Sequence, residues 1–118
     1  MKNSEKRRSH PHKPLEPAQL DAVADLFAVL SGPSRLRILQ LLQNGPASVG
    51  EIVEKLSLKQ ANASKQLGIL LNAGVIARRQ EGNRAIYSIA LPLVLDLCRV
   101  VCQGVTEQAV VRANALGA

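Results

Sequence analysis

Six of the eight residues from Lys59 to Gln66 carry polar side chains: Lys59, Gln60, Asn62, Ser64, Lys65 and Gln66. Side-chain amides can pair with a base edge, and lysine ammonium and serine hydroxyl groups reach phosphate oxygens. The set therefore suits a polyanion that also displays base edges. Asn83 and Arg84 form a second polar point, next to Gly82. A different chemistry is offered by Cys98 and Cys102, the chain's two cysteines. Four residues apart on a helix, their sulfurs would lie on one side, a turn apart.

The elements that must position these residues are legible in the hydrophobic spacing. Ser48 precedes a short helix in which Val49, Ile52, Val53 and Leu56 share a face. After Ser57-Leu58, a second helix turns Ala63, Leu67, Leu70 and Leu71 inward, leaving its leading turn and other face to the polar set. Asn72-Ala73-Gly74 stops it. Two strands follow, Val75–Gln80 and Ala85–Ile89, joined by Glu81-Gly82-Asn83-Arg84, where Gly and Asn both tolerate positive φ. Two helices around a tight turn and then a hairpin describe a winged helix-turn-helix, and DNA is the partner this predicts. Gln60 and Asn62 are the candidates for reading bases, with adenine the natural match for an amide. Ser64 and Lys65 are placed on phosphate, Gln66 on either, and Lys59, Asn83 and Arg84 alongside. Ser48 reads first as a helix cap, with a phosphate contact as a second role. The competing reading is that the polar set is only the solvated face of an amphipathic helix.

Ahead of this unit, a helix is predicted from Pro17 to Leu30, with Leu20, Val23, Ala24, Phe27 and Leu30 at helical spacing. Another runs from Pro33 through Gln43, with Leu36, Leu39 and Leu42 repeating and Arg35 and Arg37 expected in surface ion pairs. A last helix starts near Pro92 and runs to about Ala113, with Val94, Leu97, Cys98, Val101 and Val105 forming an apolar stripe. A stripe of that kind at the end of a small domain needs a partner. Pairing it with the first helix and with a second copy of the chain gives a homodimer.

Composition agrees. With 118 residues there is room for one modest core, and Phe27 and Tyr87 are the only aromatics. That scarcity argues against readers of single strands or RNA, which stack bases on aromatic rings. Of the net charge of +6, residues 1–14 hold +4, so the remainder is nearly balanced. Residues 1–15 read as a flexible basic tail, in which His10 and His12 are either solvated or metal donors. Residues 16–118 form the folded domain. No apolar run is long enough for a membrane span and the N-terminus does not resemble a signal peptide, so a cytoplasmic protein with free thiols is expected. No catalytic set of Ser, His and Asp and no phosphate loop is present, so no enzyme is expected.

Several of these segments resemble one family. Leu30-Ser31-Gly32-Pro33-Ser34-Arg35-Leu36-Arg37-Ile38-Leu39 is similar to a motif of the ArsR/SmtB repressors, which usually carry an Asp-Pro-Thr-Arg-like start there. Leu58 to Leu67 resembles the family's recognition helix, and Ala73-Gly74-Val75-Ile76, Arg79 to Arg84 and Tyr87 resemble its wing. The similarity spans roughly residues 20–113. It implies a mainly α fold of five or so helices with one small hairpin, dimeric through the first and last helices. It further implies a repressor that sits on an imperfect palindrome and is released by an inducer. Gly32 departs from the pattern in place of an acidic cap, as do Lys65 and Gln66 where many members have histidines. The family's inducer sites are incomplete here. The helix before the recognition helix has no thiol, Asp96 has no histidine after it, and the second helix has no cysteine. Cys98 and Cys102 remain. They could chelate arsenite or another soft ion, switch by oxidation or persulfide formation, or simply pack in a helix seam.

Overall fold

The computed structural model describes residues 13–117. Most of the basic tail, with His10 and His12, lies outside that range. Five helices and three short strands follow one another: α1 (Pro17–Leu30), α2 (Pro33–Leu42), β1 (Ala47–Ser48), α3 (Val49–Leu56), α4 (Gln60–Asn72), β2 (Ile76–Glu81), β3 (Arg84–Ile89) and α5 (Leu93–Gly117). This is the expected mainly α fold with a hairpin.

Local chemistry sets the boundaries. Pro17 opens α1, and Gln19 Oε1 accepts the backbone N–H of Glu16, 2.8 Å away. Pro33 opens α2 in the same way, where its missing N–H costs nothing. Ser48 caps α3 reciprocally: its Oγ accepts the Glu51 N–H at 3.2 Å, and Glu51 Oε1 accepts the Ser48 N–H at 2.9 Å. The turn into α4 is made by Ser57, which sits in the left-handed region at φ 55°. In the wing, Glu81 pairs with Arg84, so only Gly82 and Asn83 form the loop. Of these two, only Gly82 uses a positive φ, 60°, at the first central position where glycine is favoured.

The core is aliphatic. Ile38 and Leu39 of α2, Ile52 of α3, Leu67 and Leu70 of α4, Val75 and Val94 are fully buried. They clamp α3 and α4 against α2 and the base of the wing, so the helix pair that carries the polar set rests on a continuous apolar floor.

Five expectations need correcting. The sheet has three strands in the order β1-β3-β2, because Ala47 and Ser48 pair with Tyr87 and Ile86. Two residues are too few to leave a period-two signature. Strand β2 begins and ends one residue later than predicted, leaving Val75 buried ahead of it, and β3 begins one residue earlier but ends at Ile89 as predicted. The last helix runs on past Ala113 to Gly117, since nothing in that stretch breaks it, and the second stops at Leu42 with Gln43 as its cap. Finally, among the described residues Arg35 and Arg37 make no ion pair. Arg37 Nη2 donates to the Leu56 carbonyl at 2.7 Å, tying α2 to the end of α3. Arg35 turns inward, as described below.

Candidate nucleic-acid interface

Helix α4 is held by its back. Ala63, Leu67 and Leu70 are buried, whereas Gln60, Ala61, Ser64 and Lys65 are exposed, as is Lys59 before them. The helix has no acidic residue in its 13 positions. A face kept only for solubility commonly mixes both signs of charge; this one does not. Its N-terminus adds to the character. Lys59 occupies the N-cap position and no side chain caps the helix, so the first N–H groups and the positive end of the helix dipole are open to an anion.

Two further amides of the helix, Asn62 and Gln66, are engaged. Asn62 and Gln66 are half-buried. Gln66 Nε2 donates to Asn62 Oδ1 at 3.1 Å, and Arg35 Nη1 donates to Gln66 Oε1 at 2.7 Å. Arg35 is itself anchored, its Nε donating to the Val29 carbonyl at 2.6 Å. The chain of bonds runs from the end of α1 through α2 to the leading turn of α4. No sequence signal announces it, because Arg35 and Gln66 stand 31 residues apart.

At the wing, Asn83 is exposed at the loop tip and Arg84 follows it. Arg84 Nη2 lies 3.2 Å from Glu51 Oε1, both side chains at least half exposed. Glu51 thus serves the Ser48 cap and the wing at once. Its carboxyl is held below the usual range, chiefly by the Ser48 backbone N–H, next by the Ser48 hydroxyl, with Arg84 and Lys55 assisting against some desolvation. On β2, Arg79 pairs with Glu81 at 2.6 Å, and Arg78 Nη2 lies 3.4 Å from Gln80 Oε1.

The thiols lie elsewhere. Cys98 is half-buried and Cys102 exposed, and both are free. They border an apolar hollow of about 270 Å³ whose walls include Phe27, Leu30, Leu36 and Leu97 from α1, α2 and α5. Burial raises the Cys98 thiol above its ordinary range, and Cys102 raises it further. Arg99, the nearest cation in sequence, is turned to Asp96 at 3.1 Å. Among the described residues no three His, Cys, Asp or Glu side chains gather as a metal site. Two sulfurs alone do not complete a soft-ion site within one chain.

Comparison with known proteins places this architecture. The sequence model of the family described as "Bacterial regulatory protein, arsR family" matches residues 32–78. The HTH-type transcriptional regulator Rv0081 of Mycobacterium tuberculosis is 46% identical over 78 residues, which are 65% of this chain and 68% of that protein. Its crystal structure superposes with a TM-score of 0.75 at 39% identity, covering 84% of this chain and 99% of that one. The homodimeric winged helix-turn-helix DNA-binding domain of Mb0332 from Mycobacterium bovis gives a TM-score of 0.70 at 33% identity, over 83% of this chain and 90% of its own. The biofilm growth-associated repressor of Xylella fastidiosa is 32% identical over 108 residues, 86% of this chain and 95% of that protein. Helix for helix and through the wing, the chain belongs to the arsR family of bacterial regulatory proteins, which are DNA-binding transcriptional regulators and not enzymes.

Proposed function

We propose that the protein is a transcriptional repressor that binds double-stranded DNA by sequence, as a homodimer on a palindromic operator in the bacterial cytoplasm. The acid-free, exposed face of α4 carries this reading. Lys59, Gln60, Ser64 and Lys65 present donors and positive charge on a helix whose back is locked into the core. Asn62 and Gln66 stand beside them, Asn83 and Arg84 serve the flank from the wing, and Ser48 holds α3 in place. Dimerisation is supported by the apolar faces left open on α1 and α5. Phe27 is 54% exposed and Val105 59%, and Leu20, Val23 and Val101 are open as well. Such faces on a single chain call for a partner, and a two-fold dimer gives two recognition helices to two half-sites.

Release by an inducer is placed at Cys98 and Cys102, either as ligands for arsenite or another soft ion, with a further donor from the second subunit, or as a redox or persulfide switch. The half-buried, raised Cys98 thiol favours a second reading, in which both cysteines only pack, no small molecule acts, and a protein partner or the protein's own concentration regulates binding. Gel shifts separate the two, using DNA from upstream of the protein's own coding sequence. Wild type and the Cys98→Ser/Cys102→Ser variant are compared with and without arsenite, zinc, oxidant and persulfide. Release by one agent, lost in the variant, identifies the sensor. Release by none establishes the second reading, and release equal in both proteins contradicts both, placing the sensor away from the thiols.

A further inference from the structure

The chain of hydrogen bonds from Arg35 to Asn62 has a direction, and the direction is fixed by chemistry. A guanidinium has five N–H donors and no acceptor. Arg35 Nη1, 2.7 Å from Gln66, can therefore meet only the Gln66 carbonyl oxygen. The Gln66 amide nitrogen is then the atom that faces Asn62 at 3.1 Å, so Asn62 must turn its own oxygen toward Gln66. What Asn62 keeps free for a ligand is its NH₂ group. The two half-buried amides would otherwise be free to turn over, because their two ends have nearly the same shape.

We infer that Arg35, acting through Gln66, is a positioning residue that makes the recognition helix offer a hydrogen-bond donor at Asn62, so the operator position facing it is read for acceptors. Resting on the proposed DNA-binding role of α4, this revises the adenine match expected for Asn62. A bidentate grip on adenine needs the Asn62 oxygen and nitrogen aimed together at the base edge, and the oxygen is turned instead to Gln66. Guanine presents N7 and O6, two acceptors, to the same edge. Guanine is therefore preferred over adenine at this position. Gly32 is part of the device. A Cβ placed there would lie 2.6 Å from Arg35 Cζ and 2.7 Å from Nη2, so the guanidinium occupies space that any side chain at position 32 would claim. With φ −82° and ψ 126°, Gly32 itself sits in backbone that alanine adopts readily.

The test uses full-length protein and an operator selected from random duplexes. Relative affinities are measured for all four base pairs at each position. Asn62→Ala identifies the position Asn62 reads, as the one where discrimination is lost. There wild type is expected to prefer guanine over adenine by about fivefold or more. Arg35→Gln, which can both donate and accept, should reduce that ratio toward one. Gly32→Ala should do the same by displacing the guanidinium without removing its charge, and it keeps the test open if Arg35→Gln folds poorly. Gly32→Ala, which keeps every charge, should bind unrelated DNA as wild type does. A guanine preference unchanged in both variants, or a wild-type preference for adenine, overturns the inference. So does an Asn62→Ala variant that loses discrimination nowhere. A wild-type protein that selects no sequence at all overturns instead the DNA-reading role of α4.

Discussion

Glu51 and Arg84, 33 residues apart in sequence, meet at 3.2 Å, so the cap of α3 and the wing share one carboxylate. An exposed ion pair of this kind is weak and screened by salt, and a phosphate can replace the carboxylate as the partner of Arg84. Glu51→Gln keeps an oxygen for the Ser48 N–H while removing the competing charge. The variant is expected to bind DNA more tightly than wild type, by roughly two- to fivefold. Fluorescence anisotropy at fixed salt checks this, and weaker binding would show that the pair orients the wing for its task.

The same carboxyl predicts a pH dependence. Its folded-state pKa is held below the ordinary value of a glutamate carboxyl, so the stability it contributes is present above that ordinary value. It is lost as pH falls through the lower, folded value. Denaturant midpoints compared between pH 7 and pH 3 should fall more in wild type than in Glu51→Gln, which has no proton to take up. Ser48→Ala, which removes the hydroxyl cap, is expected to cost about 1 kcal/mol at neutral pH.

Much of this arrangement is legible in the sequence, and the reasons differ by residue. Ser48 and Glu51 stand three apart before an apolar run, a local pattern that announces a capping box. The α4 floor of Ala63, Leu67 and Leu70 follows from helical spacing. Arg35 is the counterexample. Its neighbours in sequence suggest a solvated helix face, but its partners are the Val29 carbonyl, across the turn from α1, and Gln66, brought near by the packing of α2 on α4. Strand β1 escapes because two residues carry no period. The stripe on α1 was legible as a helix face, but Leu20, Val23 and Phe27 turn outward. Periodicity tells which residues share a face, not whether this chain or another covers it.

Phe27→Asp tests that face. The ring is half exposed in a single chain, so the fold should survive. The charge should prevent pairing of two subunits, giving a monomer by sedimentation. Losing the second recognition helix should weaken operator binding by roughly 10²-fold or more. A dimer that persists would place the interface away from α1.

Lys65→Ala separates phosphate contact from base reading. Binding should weaken to a similar degree on all sequences, and the slope of log affinity against log salt should become shallower by about one per subunit. A change in base preference instead would make Lys65 a reader.

The Cys98 thiol, raised by burial and then by Cys102, should be sluggish. At pH 8, iodoacetamide followed by mass spectrometry is expected to modify Cys98 more slowly in the folded protein than in urea. Faster reaction in the folded protein would mark a thiolate poised for redox sensing.

Selection of bound duplexes from a random library by the wild-type protein tests most directly the claim that α4 reads DNA as part of a dimer. The expected product is one enriched inverted repeat whose half-sites are centred about 10 base pairs, one helical turn, or a multiple of that apart, and whose enrichment disappears with Gln60→Ala/Ser64→Ala. A library that stays random through every round, or an enriched sequence that the double variant binds as well as wild type, would contradict it.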